Sequence, residues 1–175
     1  MGLQTNARVE IARPAAEVFR WLVEPEKLTA WAGSAGVMPS DPSVLAVGFE
    51  HTGPVAGISG GEATMRVDAW NPPLSFGVTV SYAGGRASTT YALAETGGAT
   101  TLTCASDTDW ATPDLGAVEA RIAAQSPEVQ SVMQHAIDTM SAQLATGAYD
   151  AGTQAMMQSA LEASLANLKA LAEAA

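Results

Sequence analysis

Residues 151–175 constrain the fold most, because they read as one long helix with a single apolar side. The apolar side chains recur at helical spacing and are Met157, Leu161, Leu165, Leu168 and Leu171. Alanine favours helix, and about 22 residues at 1.5 Å per residue make a rod of about 33 Å. We expect this helix to follow Gly152, with Gly147 and Gly152 separating it from an earlier helix. A helix of this kind needs a large apolar surface to lie on.

A run of strands between residues 47 and 108 can supply that surface. Apolar and polar residues alternate along it, as they do in half-buried strands. Gly84-Gly85 and Gly97-Gly98 each predict a two-residue hairpin turn, because glycine adopts positive φ freely. The predicted partners around the first turn are Tyr82 with Ala87, Val80 with Thr89, Val78 with Tyr91 and Phe76 with Leu93. Those around the second turn are Leu93 with Leu102, Tyr91 with Cys104 and Thr89 with Ser106. The apolar positions of three strands then share one face.

The predicted pairing also arranges that face in layers, and the layers predict a cavity. The side chains shrink and become more polar toward the Gly84-Gly85 end, where Thr89 and Ser106 lie. A close-packed core does not normally taper in this way, whereas a cavity with its mouth at that end would. We expect the cavity to lie between the sheet and the carboxy-terminal helix. The predicted ligand-binding residues are Phe49, His51, Met65, Val80, Tyr82, Thr89, Tyr91, Ser106, Trp110 and Met157.

The segments outside the sheet complete an α+β pattern in a single domain, 1–175. Residues 5–12 alternate as a strand, and helices begin at Pro14 and Pro25, where proline suits a first helical turn. Residues 110–150 form a helical extension before the last helix.

This extension contains a helix over 127–146 whose long apolar stripe must be buried, because each large side chain left in water forgoes about 1.5–3 kcal/mol. We expect the region 113–147 to cover the cavity mouth as a lid. The alternative is a homodimer through 127–146, with a second copy covering the stripe.

The chain offers few groups for metal binding or catalysis. It has two histidines, one cysteine and no zinc-binding or nucleophile motif, so we predict no metal and no cofactor. His51 shares a strand face with Phe49 and is expected to point inward, either as a ligand or proton-transfer group or as a hydrogen-bonded core histidine. Cys104 lies among apolar residues and is expected to be an inert small hydrophobe.

The charge and the amino terminus narrow the class of protein. The net charge of −10 repels phosphate backbones, so a nucleic-acid partner is not expected. The amino terminus lacks the basic and apolar regions of a signal peptide, and no apolar run is long enough for membrane insertion. A single cysteine suits a reducing compartment. We therefore expect a cytoplasmic protein.

Four sequence segments resemble the START-like superfamily, also called SRPBCC. They are RVEIARPAAEVFRWLVEPEKLTAW at 8–31, VGFEHTG at 47–53, GGEATMRVDAWNPP at 60–73 and TTYALAETGGATTLT at 89–103. The closest resemblance is to its polyketide-cyclase and chaperone-ATPase-activator branch. It implies a helix-grip fold, in which a curved antiparallel sheet wraps around a long carboxy-terminal helix. These motifs are turn and packing residues, so they indicate a fold and leave the function open.

Three functions remain open from the sequence. The first is binding of a small hydrophobic or amphipathic molecule in the internal cavity. The second is an enzyme of the cyclase or dehydratase type, with His51, Tyr82 or Tyr91 as acid or base. The third is a protein-interaction module that resembles the chaperone activators and uses the helices of 113–147.

Overall fold

A six-stranded sheet and three α-helices make up most of the described structure. The computed structural model describes residues 2–34, 36–54, 61–110 and 148–175, together with helical positions 134, 138–139, 141–143 and 145–146. The strands are β1 (Gly2–Ile11), β2 (Glu50–Pro54), β3 (Glu62–Asn71), β4 (Ser75–Tyr82), β5 (Gly85–Thr96) and β6 (Ala99–Trp110). The helices are α1 (Ala15–Val23), α2 (Pro25–Ala32), a 3₁₀ turn (Pro42–Val44) and α3 (Ala148–Ala174).

The chain divides into two units, Met1–Trp110 with Met157–Ala175, and Ala111–Met156. The first unit contains the whole sheet, in the order β1-β6-β5-β4-β3-β2, with every neighbouring pair antiparallel. In the second unit, the described positions between 134 and 146 are helical and exposed. The predicted α+β class, a curved antiparallel sheet with a long carboxy-terminal helix, is confirmed.

One of the two predicted hairpin registers is confirmed and the other is wrong. Across β5 and β6, Leu93 pairs with Leu102 as predicted. Across β4 and β5, Tyr82 pairs with Gly85 and not with Ala87. The turn there consists of Ala83 and Gly84, so the true register differs from the predicted one by two residues. A shift of two keeps every side chain on its predicted face, because side chains alternate with a period of two.

The core of the first unit lies between the inner face of the sheet and the helices. The largest fully buried side chains come from β1, α1, β3, β4, β6 and α3, and they are Ile11, Val18, Leu22, Val67, Phe76, Leu102, Leu165 and Leu168. Leu165 and Leu168 occupy the middle of the predicted apolar stripe. The sequence pattern therefore identified correctly which side of the last helix is buried.

Side chains of α3 form hydrogen bonds with backbone N–H and carbonyl groups along the edge of β1 that pairs with no other described strand. The Gln158 amide accepts a hydrogen bond from the Asn6 N–H at 3.1 Å and donates one to the Asn6 carbonyl at 2.7 Å. The ammonium of Lys169 donates to the Glu10 carbonyl, and the Glu173 carboxylate accepts from the Ala12 N–H. These bonds replace the partners that a further strand would supply.

The start of the last helix differs from its prediction. α3 begins at Ala148 and continues through Gly152, whereas the prediction placed Gly152 before the helix. A glycine inside a helix costs only about 1 kcal/mol relative to alanine, and the alanine-rich surroundings favour helix. Gly147 lies outside the described residues.

Several predictions concern residues outside the described part of the chain. They are the lid or homodimer formed by 113–147, the apolar stripe of 127–146 and the placement of the Trp110 side chain. Among the described residues, no helix is both long and apolar enough to cross a membrane.

Candidate functional site

An apolar cavity of about 150 Å³ lies within the first unit. Its wall comes from α1, α2, the loop that follows α2, and strands β3, β4 and β5. The wall residues are Leu22, Leu28, Gly36, Val37, Met38, Ala63, Met65, Phe76, Val78, Val80 and Tyr91. The cavity therefore lies between the inner face of the sheet and the α1–α2 region, and no described residue of α3 forms part of its wall.

The strand side of the cavity follows from simple alternation. Phe76, Val78 and Val80 point to one face of β4 because successive side chains of a strand alternate. Met65 on β3 lies directly opposite Val80, which brings a long thioether chain beside the valine. The result is a wall of medium-sized apolar groups, in which methionine can adapt its shape to a neighbour.

The part of the cavity wall on the helix side is positioned by the way α2 ends. Gly33 caps α2 in the left-handed conformation with φ of 78°, and Gly36 has φ of 60°. Both values favour glycine, and together they turn the chain so that Val37 and Met38 reach the cavity. Two hydrogen bonds hold α2 in place. Trp31 Nε1 donates to the Trp21 carbonyl at 2.8 Å, and the Asn167 amide of α3 donates to the Trp31 carbonyl at 2.9 Å.

Aromatic rings form one part of the wall and continue into the core behind it. The rings of Phe76 and Tyr91 pair across β4 and β5, with centroids 6.2 Å apart and planes 9° from parallel. Trp70 meets Phe76 edge-on at 5.7 Å, and Phe19 meets Trp70 at 5.4 Å. Such contacts hold rings in fixed orientations, so this part of the wall is rigid.

One pair of polar side chains lies at the aromatic wall. Tyr91 and Cys104 are directly opposite each other on β5 and β6, and each influences the pKa of the other. Burial raises the pKa of Tyr91 well above its usual range and raises the pKa of Cys104 to about 11. Both groups are therefore uncharged at neutral pH. They can offer a weak hydrogen bond but no charge.

The structure places the ten predicted ligand-binding residues in different locations. Met65, Val80 and Tyr91 line the cavity. The others lie off its described wall and are Phe49, His51, Tyr82, Thr89, Ser106 and Met157, while the Trp110 side chain is outside the described residues.

Two pairs among these other residues have their own contacts. The Thr89 and Ser106 hydroxyls hydrogen-bond at 3.1 Å and are half-buried. Phe49 and His51 stack with ring centroids 6.4 Å apart at the β2 edge of the sheet, where His51 is exposed. Burial raises the pKa of Tyr82, which lies at the end of β4.

The cavity residues that sequence reasoning missed come mainly from the helix side. Leu22 and Leu28 belong to amphipathic stripes, which indicate burial but do not distinguish a cavity wall from a packed core. Gly36, Val37 and Met38 follow a helix end and have no periodic pattern at all. Only the tertiary packing of this loop on β3 and β4 reveals their role.

The acidic groups lie away from the cavity. Asp107 and Asp109 are exposed and belong to β6, where alternation places them on the opposite face from Cys104. Asp68 accepts hydrogen bonds from Thr79 and Arg66, and these lower its pKa, the Thr79 bond most, against a smaller opposing effect of desolvation. Within the described ranges, no group of three histidine, cysteine, aspartate or glutamate side chains is positioned to hold a metal ion.

Comparison with known proteins gives matches among solved structures only. CV1439 from Chromobacterium violaceum matches with a TM-score of 0.55 and 18% identity, over 97% of this chain and 96% of its own. An uncharacterised protein from Rhizobium leguminosarum matches with a TM-score of 0.50 and 14% identity, over 100% of this chain and 98% of its own. An HSP90 activator from Plasmodium falciparum matches with a TM-score of 0.45 and 14% identity, over 59% of this chain and 71% of its own. No protein-family model and no curated protein matches the chain.

The likenesses to the Chromobacterium violaceum and Rhizobium leguminosarum proteins concern the fold alone, because both identities are below 20%. The strand order, the α1–α2 pair after β1 and the long α3 define a helix-grip fold. A fold of this kind supports many functions, so the function has to be argued from the cavity.

Proposed function

We propose that this protein binds a small hydrophobic molecule in the cavity between the sheet and the α1–α2 region. The observation that carries the proposal is the cavity itself, which has about 150 Å³ of space inside an apolar wall. The cavity is partly open to solvent, so apolar surface on its wall remains in contact with water. A ligand that fills the space would remove that surface from water.

The cavity wall favours binding over catalysis. A cyclase or dehydratase needs an acid or base within hydrogen-bond reach of its substrate. Among the described wall residues, Tyr91 is the only ionisable one, and burial raises the pKa of its hydroxyl well above the usual range. His51 and Tyr82, the other candidates for that role, lie off the wall. If the cyclase alternative were correct, His51→Ala would abolish turnover while leaving ligand binding intact.

The direct test is thermal unfolding with and without apolar probes such as toluene. A ligand at about 100 times its Kd stabilises the native state by about 2.7 kcal/mol. For a chain of this size that corresponds to a rise in Tm of about 5–11 °C. Mass spectrometry of molecules that copurify with the folded protein would then identify the natural ligand.

A pair of alanine variants locates the binding. Ala63 is buried on the cavity wall, so Ala63→Leu adds three carbons to the space that the ligand would fill. Ala92 is exposed on the outer face of β5, so Ala92→Leu adds the same group away from the cavity. We expect the first variant to lose most of the probe-induced rise in Tm and the second to keep it. A probe that stabilises both variants equally, or no probe effect on the wild type, would contradict the proposal.

A further inference from the structure

The wall of the cavity also restricts the kind of molecule that can occupy it. The following inference rests on the proposed function and concerns the same cavity.

Charge is the first restriction. None of the described wall residues carries a charge, and the Tyr91–Cys104 pair is neutral at physiological pH. A carboxylate or an ammonium group that entered would lose its hydration without gaining an opposite charge, at a cost of several kcal/mol. The part of the occupant that lies inside the cavity is therefore expected to be uncharged.

Size is the second restriction. Pockets for drug-sized ligands usually enclose about 300–1,000 Å³, and the cavity here has about 150 Å³. An engineered apolar cavity of about 150 Å³ stays dry and binds benzene. A long acyl chain or a fused polycyclic molecule would extend beyond this space through the open side of the cavity, whereas a single ring with small substituents fits within it.

The aromatic wall is the third restriction. Phe76 and Tyr91 present nearly parallel rings from neighbouring strands, and edge-on contact with Trp70 keeps Phe76 in place. Aromatic pairs gain about 0.5–1.5 kcal/mol beyond simple area burial when they meet offset or edge-on. Met38 and Met65 also line the cavity, and methionine sulfur makes favourable contacts with aromatic rings, so both residues suit a bound ring.

From these features we infer that the cavity takes a neutral, single-ring aromatic molecule with at most one hydrogen-bonding group. A lone hydroxyl on the ring could pair with the Tyr91 hydroxyl, the one side-chain hydroxyl among the described wall residues. Toluene and para-cresol represent the proposed class. Benzoate and benzylamine keep the ring but add a charge, and decanol is neutral but long.

The test uses the wild-type protein with [¹³C-methyl]-methionine and follows each methyl resonance by NMR. Met38 and Met65 line the cavity, whereas Met156 is exposed on α3 and is the internal control. We expect toluene and para-cresol to shift the Met38 and Met65 resonances and to leave Met156 unchanged. Benzoate, benzylamine and decanol should bind at least about tenfold more weakly, because of charge burial or size.

The outcomes separate this inference from the proposed function. Shifts of Met38 and Met65 with decanol but not with the rings would overturn the single-ring class while leaving apolar binding in the cavity intact. Equal binding of toluene and benzoate would overturn the requirement for a neutral ligand. If none of the probes moves Met38 or Met65, both the inference and the proposed function are wrong.

Discussion

Replacing Leu168 by alanine is expected to destabilise the protein by about 2–5 kcal/mol, the usual cost of a large-to-small change in a core. Leu168 is 0% exposed and Leu165, one turn earlier on α3, is 1% exposed. Leu165→Ala should therefore have an effect of the same size. Truncation removes the apolar contacts and leaves a cavity that the rigid sheet cannot close. Denaturant unfolding monitored by circular dichroism measures the loss.

The matched control lies on the same helix. Met156 is 65% exposed, so Met156→Ala should change the free energy of unfolding by no more than about 0.5 kcal/mol, as surface substitutions usually do. A loss below about 1 kcal/mol for both leucine variants, well under the usual range, would mean that this side of α3 does not pack in the core.

Replacing Phe76 by alanine is expected to cost about 3–5 kcal/mol and to change which ligands bind. Phe76 is 1% exposed, contacts the rings of Trp70 and Tyr91, and forms part of the cavity wall. Its truncation would join the space of the lost ring to the existing cavity. Probes too large for the wild type should therefore bind this variant and restore part of the lost stability by mass action.

Leu74 provides the comparison for this variant, because it lies two residues earlier and is 51% exposed. Leu74→Ala should leave both the stability, within about 0.5 kcal/mol, and the choice of ligand unchanged. If Phe76→Ala loses stability but binds the same probes with the same affinities as the wild type, the ring does not border the ligand site.

The accuracy of the register predictions depended on the glycines at each turn. Gly97 and Gly98 both have positive φ, at 62° and 81°, and form the predicted two-residue turn between β5 and β6. At the other turn only Gly85 has positive φ, and it belongs to β5 while Ala83 and Gly84 make the turn. Either of two adjacent glycines can adopt positive φ, so the sequence alone could not show which two residues form the turn.

The register error did not change which side chains face inward. The inward-facing side chains alone, however, did not reveal where the cavity lies. A shift of two residues keeps Val80 and Tyr91 pointing inward, so these two predicted residues still line the cavity, together with Met65 of β3. The predicted mouth near Thr89 and Ser106 rested on side-chain size along the strands. The cavity in the described structure depends instead on where α1, α2 and the loop at Val37 pack, which is set by long-range contacts that leave no periodic signal.

The most direct measurement of ligand binding is crystallography of the protein soaked with bromobenzene, using the anomalous scattering of bromine. We expect a bromine peak inside the cavity, within about 4–4.5 Å of side-chain atoms of Phe76, Val80 or Tyr91. A cavity that contains only ordered water, with any bromine peak confined to the protein surface, would contradict it.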